Sequence, residues 1–93
     1  MTSTATVTTP KAAGYLAQLC KHFARKVPVR QDGDDGEIGF DAGPCRLHAE
    51  GDTLTMTVEA ANPEALAKLE DVVARHLGRF AFREGLSIDW RRT

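Results

Sequence analysis

The sequence predicts an α+β fold: a two-layer sandwich in the order strand, helix, four strands, helix, short strand. An antiparallel sheet carries two antiparallel helices on one face. Three observations lead there. Apolar residues recur with a helical period in two stretches, Leu16 to Val27 and Leu66 to Phe80. Between those stretches the period falls to two, with turn residues at regular intervals. Strands that alternate in this way have one apolar and one wet side, so two helices share a single face.

Taken in order, Thr4 to Thr9 sets Ala5 and Val7 against Thr4, Thr6 and Thr8, the pattern of a half-buried strand. Pro10 is tolerated at the first position of a helix, so the first helix is expected to start there. Its buried stripe is Leu16, Leu19, Cys20, Phe23 and Val27, and Lys21, Arg25 and Lys26 crowd its carbonyl-rich end. Pro28 stops it, because the residue before a proline is pushed out of helical geometry. Val29 opens a four-strand meander with turns at Asp32 to Gly36, Ala42 to Pro44 and Glu50 to Asp52. Ile38, Phe40, Cys45, Leu47, Ala49, Leu54, Met56 and Val58 face inward along it. Asn62 is a good N-cap and Pro63 a good first residue for the second helix. That helix buries Leu66, Leu69, Val73, Leu77 and Phe80, and Gly78 is a point where it is expected to fray. Leu86, Ile88 and Trp90 alternate in a last short strand.

Ala13, Ala17 and Ala24 line one flank of the first helix, and Ala67, Ala74 and Ala81 line the matching flank of the second. Small residues permit close approach, so an alanine seam between the helices is expected. Tyr15, His22 and Lys26 then fall on one outer edge of the helical layer, and His76, Arg79 and Arg83 on the other. This arrangement predicts no metal site. Cys20 and His22 are also about 200° apart around their helix, too far to grip one ion together.

At 93 residues the chain is read as one domain, 1–93. A formal net charge of -1 argues against a nucleic-acid binder. The absence of a long apolar run predicts no membrane contact and a cytoplasmic protein, with Cys20 and Cys45 as reduced thiols. Eight acids (Asp32, Asp34, Asp35, Glu37, Asp41, Glu50, Asp52, Glu59) lie between Gln31 and Ala60 against Arg46 alone, whereas the helix ends are basic. His48 alternates outward on the wet face, and Cys45 inward. The Asp32 to Gly36 cluster lacks the ligand spacing and closing Glu of an EF-hand, so it reads as a hairpin turn. No nucleophile–base pairing and no cofactor motif is present in the sequence.

The segments YLAQLCKHFARKVPV and HLGRFAFREGLSIDW, with the spacing of Ile38, Phe40, Leu47 and Leu54, resemble the bacterial domain of unknown function 2218 family. The resemblance covers nearly the whole chain. It implies a TATA-binding-protein-like sandwich similar to the carboxy-terminal domain of phosphohexomutases. It also implies, for part of the family, a link to siderophore-interacting flavin reductases and iron uptake. No activity is implied. Its motif positions include Lys21, His22, His76, Arg79, Arg83 and Glu84, polar residues that packing does not explain, and these six are the candidate ligand-binding residues. Glu84 is expected in a local ion pair with Arg79 or Arg83. The resulting expectation is a small accessory or binding domain, connected with siderophore iron utilisation through an anionic small molecule or a reductase partner. A protein-interaction or homodimerisation module is the alternative, and a His-dependent enzyme stands behind both.

Overall fold

Alternate side chains of a strand leave opposite faces of its sheet, and here the four longer strands each have an apolar set to hide. The computed structural model, which describes residues 1–93, arranges them as β1 (Thr2–Thr8), β2 (Val29–Asp32), β3 (Asp35–Phe40), β4 (Gly43–Glu50), β5 (Thr53–Glu59) and β6 (Trp90–Arg92). Two helices complete the chain, α1 (Ala12–Phe23) and α2 (Pro63–Phe80). The strands form a single sheet in the order β2-β3-β4-β5-β1-β6, with every neighbouring pair antiparallel. The α+β architecture read from the periodicity is therefore present, with one antiparallel sheet and two helices. Neither helix is long and apolar enough to cross a membrane.

The strand order explains why both helices occupy one side. Counting antiparallel steps, β1 and β2 point the same way, as do β5 and β6. Each parallel pair is bridged by a helix, and such crossovers are right-handed in nearly every case. The two crossovers travel in opposite directions across the sheet along oppositely directed strands, so the same hand puts both helices on the same face. Ala5, Val7, Ile38, Cys45, Leu47, Leu54, Met56 and Val58 of the sheet are buried there against Leu16, Leu19, Cys20, Leu66, Val73 and Leu77. The helices run antiparallel: Tyr15 meets Glu84, whereas His22 meets Phe80 and His76.

Local signals account for most boundaries. Asn62 caps α2, its Oδ1 accepting the Ala65 N–H at 2.9 Å, and Pro63 takes the first position. The helix passes Gly78 without interruption. Three expectations need correction. α1 starts at Ala12, not Pro10, because Thr9 Oγ1 accepts the Lys11 N–H at 3.1 Å and makes a local turn first. It also ends at Phe23, before Val27, in a turn where Lys26 and Val27 both donate to the Phe23 carbonyl. The last strand begins at Trp90 instead of ending there. The chain reaches it from Glu84, which is held at Thr9 and Tyr15 on α1's side, so Leu86 and Ile88 pack irregularly at the core margin.

The alanine seam does not form. Ala13, Ala24 and Ala67 are exposed, Ala17 and Ala74 are only half-buried, and Ala81, which is buried, lies just past the end of α2. Aromatic and imidazole rings fill the junction instead, with Phe23 and His76 ring centres 4.8 Å apart and His22 and Phe80 5.7 Å apart. The helical wheel identifies two flanks beside each buried stripe, but the hand of the crossover chooses which flank meets the neighbour. The preference of small residues for close approach does not override it.

Gly43, at φ +150°, opens β4 against the end of β5, and a Cβ there would overlap the Glu59 carbonyl oxygen. Gly78, in contrast, has open space around it on the exposed side of α2. Urea unfolding should therefore separate the two: Gly43→Ala loses about 3 kcal/mol or more from clash and strain. Gly78→Ala gains about 0.5–1 kcal/mol from helix propensity.

Candidate functional site

The last turn of α1 and the last two turns of α2 come together around two imidazoles. The rings of His22 and His76 lie with centres 5.0 Å apart and planes tilted by 47°. The expectation that these residues occupy opposite outer edges is thus overturned, for the reason that removed the alanine seam. His76 is half-buried, and its Nδ1 lies 2.7 Å from the Val72 carbonyl one turn back. A carbonyl only accepts, so Nδ1 carries the proton and Nε2 is left as the ring's free acceptor. Phe23 supports both rings from below, edge-on to His22 at 5.0 Å, and is backed by Phe40 of β3 at 4.8 Å. Beside the pair, Gln18, Lys21, His22, Arg25 and Phe80 line a shallow cleft of about 170 Å³.

The charge around this cleft is one-sided. Partial desolvation lowers the pKa of His22, and His76, Lys26, Arg25 and Arg79 lower it further by repulsion. None of Lys21, Arg25, Lys26, Arg79 or Arg83 makes an ion pair. Elsewhere every arginine but Arg91 is matched. Arg30 and Arg46 meet Glu37, Arg46 also meets Glu59, Arg75 meets Asp71, and Arg92 grips Glu70 through bonds of 2.9 and 3.1 Å. Unmatched cations beside two imidazoles suit an anion, for which the cations and a His22 ring nitrogen can provide N–H donors, the His76 Nδ1–H being taken by Val72.

Glu84 belongs to a different place. It makes no pair with Arg79 or Arg83; one carboxylate oxygen accepts from Thr9 Oγ1 at 2.8 Å and the other from the Tyr15 hydroxyl. Those bonds hold its pKa below the ordinary carboxylate value, and the same contact pushes the Tyr15 phenol up to about 12. Tyr15 is accordingly buried and sits on the junction, not on an outer edge. Arg83 lies over the exposed Phe82 ring, 5.5 Å from its centre. Of the six candidate residues the structure brings together Lys21, His22, His76 and Arg79, separates Arg83, and makes Glu84 a tether between α1 and the segment after α2. Sequence reasoning missed Gln18, Arg25 and Phe80 as cleft walls. The one signal for the first two is spacing: Gln18, Lys21 and His22 on α1 and Arg25 in the turn that follows it stand at i, i+3, i+4 and i+7.

The open face of the sheet holds a larger concavity of about 780 Å³ over β2 to β5. Its charges answer one another across the register, Arg30 to Glu37 to Arg46 to Thr57, then Thr4 and Arg91. His48 faces outward there as expected, between Asp35 at 2.7 Å and Glu50 at 3.3 Å, and these two acids raise its pKa. Apart from Arg91, the basic side chains of this row are already engaged by carboxylates. Cys20 and Cys45 are both free and buried, with pKa values raised by burial, Cys45 to about 12. Cys20 Sγ lies 2.7 Å from where a Cβ on Gly36 would stand, closing the gap between α1 and β3.

Fold and cleft together define a small α+β domain with a basic junction between two helices laid on one antiparallel sheet. Residues 4–91 match the family described as an uncharacterized protein conserved in bacteria, domain of unknown function 2218, and the chain belongs to that family. It is similar to the protein PA4090 from Pseudomonas aeruginosa, whose NMR structure superposes with a TM-score of 0.83 at 38% sequence identity. The match covers 97% of this chain and 94% of that one. No curated protein matches.

The tether at Glu84 predicts a pH signature. Its folded pKa lies below the ordinary 4.5, so its stabilisation is fully present above that value and is lost as pH falls through the folded-state value. Glu84→Gln should therefore unfold more easily than the wild type at neutral pH. The gap should close in acid, as read by urea midpoints across a pH series.

Proposed function

We propose that this domain is a non-enzymatic binding module that takes an oxygen-rich anionic small molecule at the junction of α1 and α2. The observation that carries the reading is the set of unpaired cations, Lys21, Arg25, Lys26 and Arg79, around the His22–His76 pair. A non-catalytic role is supported by the surroundings of the imidazoles. Neither ring is paired with a carboxylate, and His76 is oriented by a backbone carbonyl. The two thiols are free and buried, which supports residence in a reducing compartment such as the cytoplasm. Among oxygen-rich anions, ferric siderophores are the class to which the family resemblance points, with a reductase as the matching protein partner.

A protein-docking or homodimerisation role draws on one observation, the 71% exposure of Phe82 beside Arg83. Edge pairing has less support: both edge strands are short, β2 of four residues and β6 of three, and β6 carries Arg91 and Arg92. Light scattering on the Phe82→Ser variant and the wild type separates this reading from a monomeric module.

The test of the anion reading is an NMR titration with metal-free citrate, followed by a ferric catecholate complex. Saturable shifts should centre on Gln18, His22, His76 and Phe80, and the paired substitution Lys21→Gln, Arg25→Gln should weaken binding by about tenfold or more. Shifts scattered over the open sheet face, or none at millimolar ligand, would overturn it.

A further inference from the structure

We propose that His22 and His76 supply two nitrogen ligands to a divalent transition-metal ion that arrives already carrying anionic oxygen ligands. The proposal rests on the anion reading of the cleft for its co-ligand, and goes beyond it in assigning the imidazoles a direct bond to metal.

The first support is geometric. An imidazole nitrogen bound at about 2.0–2.1 Å puts its ring centre roughly 3.2 Å from the metal. Two such rings at neighbouring corners are then about 4.5 Å apart centre to centre for a right angle, and about 5.2 Å for a tetrahedral one. The observed 5.0 Å falls between them. The second support is orientation. Histidine ligands are commonly held by a hydrogen bond from the other ring nitrogen to a carbonyl, which fixes the tautomer and leaves the remaining nitrogen for metal. His76 is held in this way by Val72. The rings are further braced by Phe23 and Phe80, so the pair is in place before any ion arrives.

Charge then decides the form of the metal. No three His, Cys, Asp or Glu side chains are grouped to hold an ion, so protein ligands alone do not complete a coordination sphere. The four nearby cations repel a bare divalent ion and attract a chelate with net negative charge. Imidazole suits copper, nickel and zinc, whereas the co-ligand's carboxylates suit the guanidinium and ammonium groups around it. No bond is broken and no electron moves in this step. The imidazoles displace water from open positions on the metal.

The experiment uses untagged protein and nickel–nitrilotriacetate, a chelate with net negative charge and neighbouring positions open to imidazole. Calorimetry should show one saturable site. His22→Gln and His76→Asn should each weaken it by about tenfold or more, since even the loss of an outer-shell partner costs that much. His48→Gln, on the other sheet face, should leave it unchanged. Neutralising Lys21 and Arg25 should weaken binding of the chelate but not of nickel ion alone. Retained thermal unfolding midpoints in the His variants exclude misfolding as the cause. Binding that survives both His22→Gln and His76→Asn, binding that is lost with His48 alone, or no saturable binding would each overturn the proposal. The metal-free citrate titration separates the two readings. Citrate binding without an imidazole-dependent nickel site overturns the metal assignment alone, whereas silence in both experiments overturns both.

Discussion

A sheet with one greasy side and two connections that turn with the same hand leaves the chain very few ways to fold. β1 must reach β2 across three intervening strands, and β5 must step over β1 to reach β6. Both journeys are made by helices over the apolar face, and their directions force the helices to run oppositely. Packing then follows. Leu16, Leu19 and Cys20 cover one half of the platform, and Leu66, Val73 and Leu77 cover the other. The polar side chains that end up between the helices are placed there by this geometry, whatever their own preferences.

That placement is what gathers unpaired cations beside the two imidazoles. Four acids of the meander, Asp35, Glu37, Glu50 and Glu59, engage Arg30, Arg46 and His48 on the open face, while Glu70 and Asp71 hold Arg92 and Arg75. No carboxylate pairs with the cations at the ends of the helices. Glu84, the one acid close in sequence, is occupied by Thr9 and Tyr15 and ties the chain after α2 to the start of α1. The tether narrows the range of positions α2's final turns can take, and so helps to keep His76 beside His22.

Periodicity and caps made most of the fold legible. Asn62-Pro63 marks the start of α2, the turns between Val29 and Glu59 mark each strand of the meander, and Cys45 and His48 fall on the faces their parity assigns. Local signals misled where a competing interaction was nearby: the Thr9 side chain delays α1, and the Glu84 tether shortens the last strand. The candidate site was half legible. Its residue types stood out, but their convergence did not, because an amphipathic wheel is blind to left and right. Only the handedness of the crossovers resolves whether His22 turns toward α2 or away from it. Tyr15 was misplaced for the same reason, and nothing in the residues around Glu84 announces that its partners lie at the far end of the chain.

One contact made in passing has a use of its own. The sulfur of Cys20 is wedged against the backbone of β3 at Gly36, where nothing bulkier than a hydrogen leaves it room. An alkylating reagent cannot add to that sulfur while the two layers are closed, since any adduct needs the space the strand occupies. The rate of its modification is therefore a clock for spontaneous lifting of α1 from the sheet. It reports on the breathing of this half of the molecule without a ligand or a denaturant.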